Sequence, residues 1–315
     1  DIFLAAGGQI NSNGNGDFIA NAAGDFSILA GSGGIDMNGG DIAINNGGIF
    51  SSAMVDSLET LTGTITLNQH VGGSIQNAID AIDNHGTGQN TVNIGAGTFD
   101  ETLSVSENNI WLKGAGQAST IIKPTSIASA TALQHPAYFG AQNYKSIILA
   151  QNANNVDVTG LTVDASSLTG GAGSTNPGYV GISYYNAGGD VGTGGVANTA
   201  APVTIIGGGQ TTFGLLGTSD NTLPGHVART VNVTGVTSSG SWWSALASIG
   251  NLLIMNITGG NYNGTGGAAA LDLSNGSKGS VTNATLTTGN QYGENAGIVF
   301  HGGHDWTITN TNITG

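Results

Sequence analysis

Short apolar runs, alternating with polar residues and cut apart by glycine, recur along most of this chain. In 89-QNTVNIGAGTFDETLSVSENNIWLKGAGQASTIIKP-124 they are Val92/Ile94, Leu103/Val105, Ile110/Leu112 and Ile121/Ile122. Period-two alternation bounded by glycine is the pattern of a strand. Strands this short do not make a stable sheet alone. Each must bury its apolar side chains against neighbours of the same kind, which points to a stacked, repetitive β fold.

The repeat can be measured. The pattern apolar-x-(Val or Asn)-x-x-apolar occurs as 156-VDVTGL, 231-VNVTGV, 281-VTNATL and 308-ITNTNI, with a weaker copy at 254-IMNITG. The step from 254 to 281 equals the step from 281 to 308, and the step from 231 to 254 is slightly shorter. The long gap between 156 and 231 spans about three such steps, and 180-VGI and 203-VTI fall inside it as intermediate rungs. Periods in the twenties indicate a solenoid. A leucine-rich repeat shares that length but needs a leucine framework that is missing here, so a β-helix is preferred. Asn256, Asn283 and Asn310 recur at the equal step and read as one stacked amide ladder. The last two units align Leu271 with Ile298, Leu273 with Phe300, and Val281 with Ile308.

Residues 1–69 are written differently. The phrases 16-GDFIANAA, 24-GDFSILAG and 40-GDIAINNG each open with Gly-Asp, a spacing of 8 with the second step doubled. Gly and Asn tolerate left-handed backbone, so the chain can turn sharply after each short strand. The full G-G-x-G-x-D spacing of a calcium-binding nonapeptide repeat is not met. Residues 74–84, SIQNAIDAIDN, break the strand pattern. Ile75, Ala78, Ile79 and Ile82 share one helical face, with Ser74 as N-cap and Gly86 as a stop. A helix this short is marginal in water and must pack on the stack as a cap. The expected organisation is a Gly-Asp-rich segment over 1–69, stacked on or flanking a parallel β-helix over 70–315. That β-helix carries the helix 74–84 and loop insertions near 164–179 and 186–201.

Composition narrows the partners. Fifty-five of the 315 residues are Gly, which suits a turn-rich chain, and the 38% apolar fraction suffices for a core. The net charge of −14 argues against nucleic acid and against an anionic membrane surface. No apolar run reaches the length of a membrane span. Cysteine is absent, which agrees with a long chain exported unfolded. The chain opens DIFLAAGG, without a start methionine, and ends TNTNITG, as expected for a piece cut from something longer. The stability of such a chain should come from stacked aliphatics rather than ion pairs, since exposed pairs contribute only ~0–1 kcal/mol.

The segments SIQNAIDAI, TVNIGAGTFDETLSV, NNIWLKGAG and STIIKP together resemble the opening segment of right-handed parallel β-helix proteins of the pectin-lyase-like superfamily. Thr91–Thr102 and Ile110–Gly116 match the family's first rungs, and 297-GIVFHGGHDWTITNTNITG is similar to its generic coil. Residues 1–69 resemble Gly-Asp-rich passages of large bacterial exoproteins and haemagglutinin-like adhesins. The resemblance implies an all-β, right-handed parallel β-helix with a short capping helix, at the bacterial surface or outside the cell. It also implies polysaccharide chemistry as the alternative to a scaffold, because the superfamily contains lyases, hydrolases and esterases.

Each of those activities needs a constellation. A lyase needs a strong base beside carboxylates that hold Ca²⁺. The single arginine, Arg229 in 224-PGHVARTVNV, has no carboxylate cluster near it in sequence. A hydrolase needs paired carboxylates, and no Asp-Asp dipeptide occurs. The one catalytic candidate set is His301, His304 and Asp305 in 300-FHGGHD. Ligand-binding candidates are the adjacent aromatics Tyr184-Tyr185 and Trp242-Trp243. In an extended strand one of each pair faces inward and the other outward, where a flat ring can receive a sugar. The reading that follows is a non-catalytic extracellular β-helical adhesin or scaffold whose partners are a surface glycan and further copies of itself. It uses no cofactor, with Ca²⁺ as the one ion left open. The alternative is a polysaccharide lyase or hydrolase.

Overall fold

The computed structural model describes residues 2–5, 10–11, 18–22, 26–29, 35–36, 42–46, 65–69, 74–80, 82, 89–127, 132–135, 142–168, 178–192, 201–208, 211–219, 227–289 and 296–315. They form a right-handed parallel β-helix. Each coil visits three sheets in turn. In one coil these are Gln142–Gln151 in sheet I, Val156–Thr159 in sheet II and Thr162–Asp164 in sheet III. Sheet I runs from Leu103–Val105 to Ala296–His301, sheet II from Phe18–Ala22 to Trp306–Thr309, and sheet III from Gly97–Phe99 to Asn312–Thr314. Among the described strands of sheet I, Ala132–His135 alone is antiparallel, pairing with Gln142–Lys145.

The coil is closed at the II-to-III corner by one left-handed residue. Gly160, Gly235, Gly259, Asn283 and Asn310 all follow a threonine there, with φ between 49° and 65°. Only Gly, and less readily Asn, takes that conformation without a steric penalty. The repeated V-x-V-T-G phrase with its following apolar residue is therefore a sheet II strand, its corner and the approach to a sheet III strand.

Apolar residues stack in columns because parallel pairing puts like positions above one another. In sheet I, Leu103, Ile148, Ile182, Leu215, Leu246, Leu271 and Ile298 are successive register partners. All but Ile298 are fully buried. Burying each such side chain contributes about 1.5–3 kcal/mol. A similar column runs from Val92 to Ile308 in sheet II, and another from Phe99 to Ile313 in sheet III, interrupted by the buried Ser238.

The alignments of Leu271 with Ile298, Leu273 with Phe300 and Val281 with Ile308 are present. The alignment of the 254 unit is not. Ile257, not Ile254, sits against Val281, because that coil is shorter than the next. Ile254 pairs with Lys278, whereas Val281 pairs with Ile308. Asn256 consequently stacks on Ser280, and Asn283 and Asn310 occupy the left-handed corner. The ladder that forms is different. Ser280 Oγ donates to Asn256 Oδ1 (3.2 Å), Asn256 Nδ2 to Asn232 Oδ1 (3.0 Å), and Asn232 Nδ2 to Asp190 Oδ1 (2.8 Å). Asp190 N–H then donates to Asp157 Oδ1 (2.9 Å), whose other oxygen accepts from Gln89 (2.5 Å).

The Gly-Asp segment shows why its spacing is 8. Strand Ile2–Ala5 pairs with Phe26–Leu29, Ile10–Asn11 with Ile35–Asp36, and Phe18–Ala22 with Ile42–Asn46. Ile2, Ile10, Phe18 and Phe26 open successive strands at that spacing, and three such steps return the chain to the same side of the coil. Strand Ile42–Asn46 pairs onward to Ile65–Gln69, which pairs with Asn90–Ile94.

The helix forms as Ile75–Asp80 and Ile82 lies in a turn, while 81, 83 and 84 of the expected 74–84 lie outside the described residues. Ile75, Ala78, Ile79 and Ile82 are all buried in the main core. Its N-terminus is capped from a distance. The Glu101 carboxylate accepts from the backbone of Ile75 (3.0 Å) and Gln76 (3.1 Å) and from the Ser74 hydroxyl (3.0 Å). A carboxylate there satisfies orphan N–H groups and opposes the helix dipole. The expected stop at Gly86 lies outside the described residues, as do 169–177 and 193–200 of the two expected insertions. Residues 186–192 are not an insertion. They carry the sheet II strand Gly189–Gly192, which alternation could not reveal because Val191 is its sole apolar side chain. Gly189 has φ 153°, and a Cβ there would lie 1.9 Å from the Val156 carbonyl oxygen, so the coil passes only with glycine.

Candidate functional site

The outer face of sheet I holds a buried carboxylate. In strand Ala269–Ser274, Leu271 and Leu273 enter the main core. Asp272 between them must point to the opposite side, yet it is 0% exposed. Its register partners are Ala247 in the coil before and Val299 in the coil after. Ala247 belongs to a second apolar cluster with Tyr144, Val180, Phe213, Leu216 and Ile249, against which Trp243 packs.

A buried carboxylate must be hydrogen-bonded, and this one is. Trp243 Nε1–H donates to Oδ2 at 2.8 Å, and the Ser274 hydroxyl donates to Oδ1. His301 Nδ1 lies 3.5 Å from Oδ1, with 23% of its side chain exposed. Tyr144 is close enough to feel the charge. Burial, and then Asp272, push its phenol up to about 12. Tyr144 also packs on Phe213 at a centroid distance of 5.6 Å. Trp243, Asp272 and His301 stand 29 residues apart in succession on three neighbouring coils, an interval longer than the coil step from Ala247 to Asp272 or from Asp272 to Val299, so the repeat did not join them in the sequence. Asp272 itself gave no sign, since a lone acid between two leucines reads as a solvated outward residue.

The two aromatic pairs differ. Tyr184-Tyr185 lies in the strand Tyr179–Tyr185. Tyr184 is 0% exposed and its hydroxyl donates to the Val156 carbonyl (2.7 Å), so it is a core residue with no face to offer a ligand. Tyr185 is half-buried in the outer row with Thr218, Ile249 and Ser274. Trp242-Trp243 is not extended. It occupies the bend before strand Ser244–Ile249, so both rings stay half-buried instead of one facing inward. Their centroids are 5.9 Å apart with planes tilted by 40°. The Trp243 backbone is fixed by a bond from its N–H to Thr212 O and by bonds to its carbonyl from the Ala268 and Ala269 N–H groups. Tyr185 is on the same sheet two coils before the Trp pair, about 10 Å along the stack axis at ~4.8 Å per coil, but it ends its strand in the row of Ile249, whereas the Trp pair precedes the start of its own.

His301, His304 and Asp305 do not form one group. His304 Nδ1 pairs with Asp305 Oδ2 at 2.9 Å, with side chains 54% and 74% exposed. His301 turns instead to Asp272. Chemically, a carboxylate facing Nδ1 favours the tautomer with the proton there, which leaves Nε2 as the basic nitrogen. The same carboxylate locks the Trp243 indole.

The sheet II ladder supplies a pair of acids, Asp157 and Asp190, on successive coils. Burial raises the Asp157 pKa, with the Asp190 charge adding to it and the bonds from Gln89 and Asp190 N–H opposing. No group of three or more His, Cys, Asp or Glu is placed to hold a metal ion among the described residues. No helix among them is long and apolar enough to cross a membrane. No family model, curated protein or solved structure matches this chain.

Proposed function

We propose that this chain is a non-catalytic extracellular β-helical scaffold, a segment of a bacterial surface adhesin, that binds a glycan on the outer face of sheet I. The observation that carries the reading is the Trp243 indole hydrogen-bonded to the buried Asp272 carboxylate beside Trp242. An aromatic ring held rigid at a partly exposed position loses little entropy when a sugar stacks its apolar C–H face on it. Tyr185 adds a second aromatic ring to the same sheet, two coils away in the row of Ile249. The likeness of residues 74–315 to pectin-lyase-like coils, and of residues 1–69 to haemagglutinin-like adhesins, supports a surface location. Lateral contact between copies is part of the same reading.

A second reading is favoured by the Asp272–His301 pair, which is oriented as a general base needs to be. On this reading the chain is a polysaccharide lyase or hydrolase. One experiment separates the two. The protein is applied to a glycan array with and without Ca²⁺, and the same wells are assayed for reducing or unsaturated sugar ends. Binding without product, lost in Trp242→Ala but kept in His301→Ala, supports the scaffold. Product formation abolished by His301→Ala replaces it with the enzyme. Binding that survives Trp242→Ala, Trp243→Ala and Tyr185→Ala together removes the aromatic face from the account.

A further inference from the structure

Of the 22 asparagines in residues 1–231, none is followed two positions later by Ser or Thr; of the 11 in residues 232–315, six are. These are Asn232, Asn256, Asn263, Asn275, Asn283 and Asn312, and in none is the middle residue proline. Asn-x-Ser/Thr is the acceptor motif for N-glycosylation. The motif alone is common in an Asn- and Thr-rich chain, so the structure has to decide which copies can react.

It divides the six. The reacting atom is Nδ2. In Asn232 and Asn256 that nitrogen is a donor in the sheet II ladder, to Asp190 and Asn232 respectively. In the Asn275 motif the Ser277 hydroxyl, which a transferase must read, is fully buried. The remaining three are presented differently. Asn283 is exposed at the left-handed II-to-III corner with φ 56°. Asn312 and its Thr314 are both exposed on the strand Asn312–Thr314. Asn263 is half-buried at the end of Asn261–Asn263, followed by the exposed Thr265. Its Oδ1 accepts from Thr265 N–H at 2.8 Å, which polarises the carboxamide and eases loss of an Nδ2 proton.

The three fall on consecutive coils of one flank. Asn261 pairs with Thr285, and Thr285 with Asn312, so Asn263, Asn283 and Asn312 surround a single patch of sheet III and its corner. The stretches that build it, 258-TGGNYN, 282-TNATLT and 309-TNTNIT, contain no charged residue in a chain of net charge −14. A phosphate-activated sugar donor meets no opposing carboxylate from these stretches.

We propose that Asn263, Asn283 and Asn312 are N-glycosylation acceptors, so that the chain carries sugar on its sheet III flank while the outer face of sheet I stays open. In the reaction Nδ2 forms a bond to the anomeric carbon of a glycosyl diphosphate donor. The bond from that carbon to the phosphate oxygen breaks, and the phosphate leaves with the electron pair. One Nδ2 proton passes to a base of the transferase. The inference does not rest on the adhesin reading, since it concerns another face and another reaction.

The test has two arms. First, the folded chain is incubated with a soluble transferase specific for Asn-x-Ser/Thr and UDP-glucose, and sites are mapped by mass spectrometry. Tryptic peptides of the same chain, which keep every motif intact, are labelled in parallel. The peptides should take sugar at all six motifs and the folded chain at Asn263, Asn283 and Asn312 alone. Labelling of Asn232 or Asn256 in the folded chain, or none at the three, overturns the assignment. Second, glycopeptides are mapped on the protein isolated from the cells that make it. Sugar at the three sites supports the proposal, and a single hexose or a preformed oligosaccharide tells a nucleotide-linked from a lipid-linked donor. An unmodified chain, or sugar at the ladder asparagines, refutes it.

Discussion

Replacing Leu271 with alanine tests the stacked-column account where it is most exposed to failure. Leu271 is fully buried between Leu246 and Ile298, its register partners in the neighbouring coils. Buried leucine-to-alanine changes cost about 2.7–5 kcal/mol, more where the cavity cannot collapse. Collapse is hindered here, because the backbone ladders on both sides of the strand fix the coil spacing near ~4.8 Å. A loss of about 3–5 kcal/mol is therefore expected. That is roughly two to three and a half powers of ten in an opening equilibrium, at about 1.4 kcal/mol per tenfold. In a solenoid each unit contacts only its neighbours, so the loss should be local. Native-state hydrogen exchange read by mass spectrometry resolves this. Amides of Ser244–Ile249, Ala269–Ser274 and Ala296–His301 should lose that protection, while those of Asn90–Ile94 and Ile110–Gly114 keep theirs. A loss below about 1 kcal/mol, or an equal loss along the whole chain, would show that the column is not what holds the coils together.

Two other perturbations probe the polar rows. Asn256→Ala removes two ladder bonds, for about 1–3 kcal/mol by chemical denaturation, whereas Asn283→Gly at the left-handed corner should change stability by only a few tenths. Equal costs at the two positions would restore the single Asn ladder that spacing suggests. The pH dependence of Asp157 has a definite sign. Its folded pKa is raised, so between its unfolded value and that higher one the native state holds more protons, and stability falls as pH rises through the window. Between about pH 3 and about pH 7 the unmodified chain should therefore lose more stability than Asp157→Asn does. A larger loss in the variant would mean that the hydrogen bonds from Gln89 and Asp190, not burial, govern this group.

Much of the fold was legible because a parallel stack writes its geometry into the chain. Alternation in 89–124 marks strands, the Val-x-Val-Thr-Gly phrase marks a strand and its corner, and the period marks the coil. The limits were equally physical. Coil length varies, the step from Ile254 to Lys278 being shorter than that from Val281 to Ile308. Counting therefore placed Asn256 above Asn283, when the pairing places it above Ser280. The strand Gly189–Gly192 was invisible because glycines leave no alternation to read. The helix cap came from Glu101, 26 residues downstream of Ile75, and local sequence could name only Ser74.

The site follows the same division. The sequence alone determined that adjacent aromatics and a His-rich turn stand out in a chain with few of either, and that its strands must stack to bury anything. Only the tertiary structure decided that Tyr184 is core, that His301 leaves His304 for Asp272, and that Asp272 is buried at all. The reason is that strand alternation fixes which way a side chain points. What waits for it there depends on residues a full coil away in either direction, and their alignment is set by the lengths of the turns between.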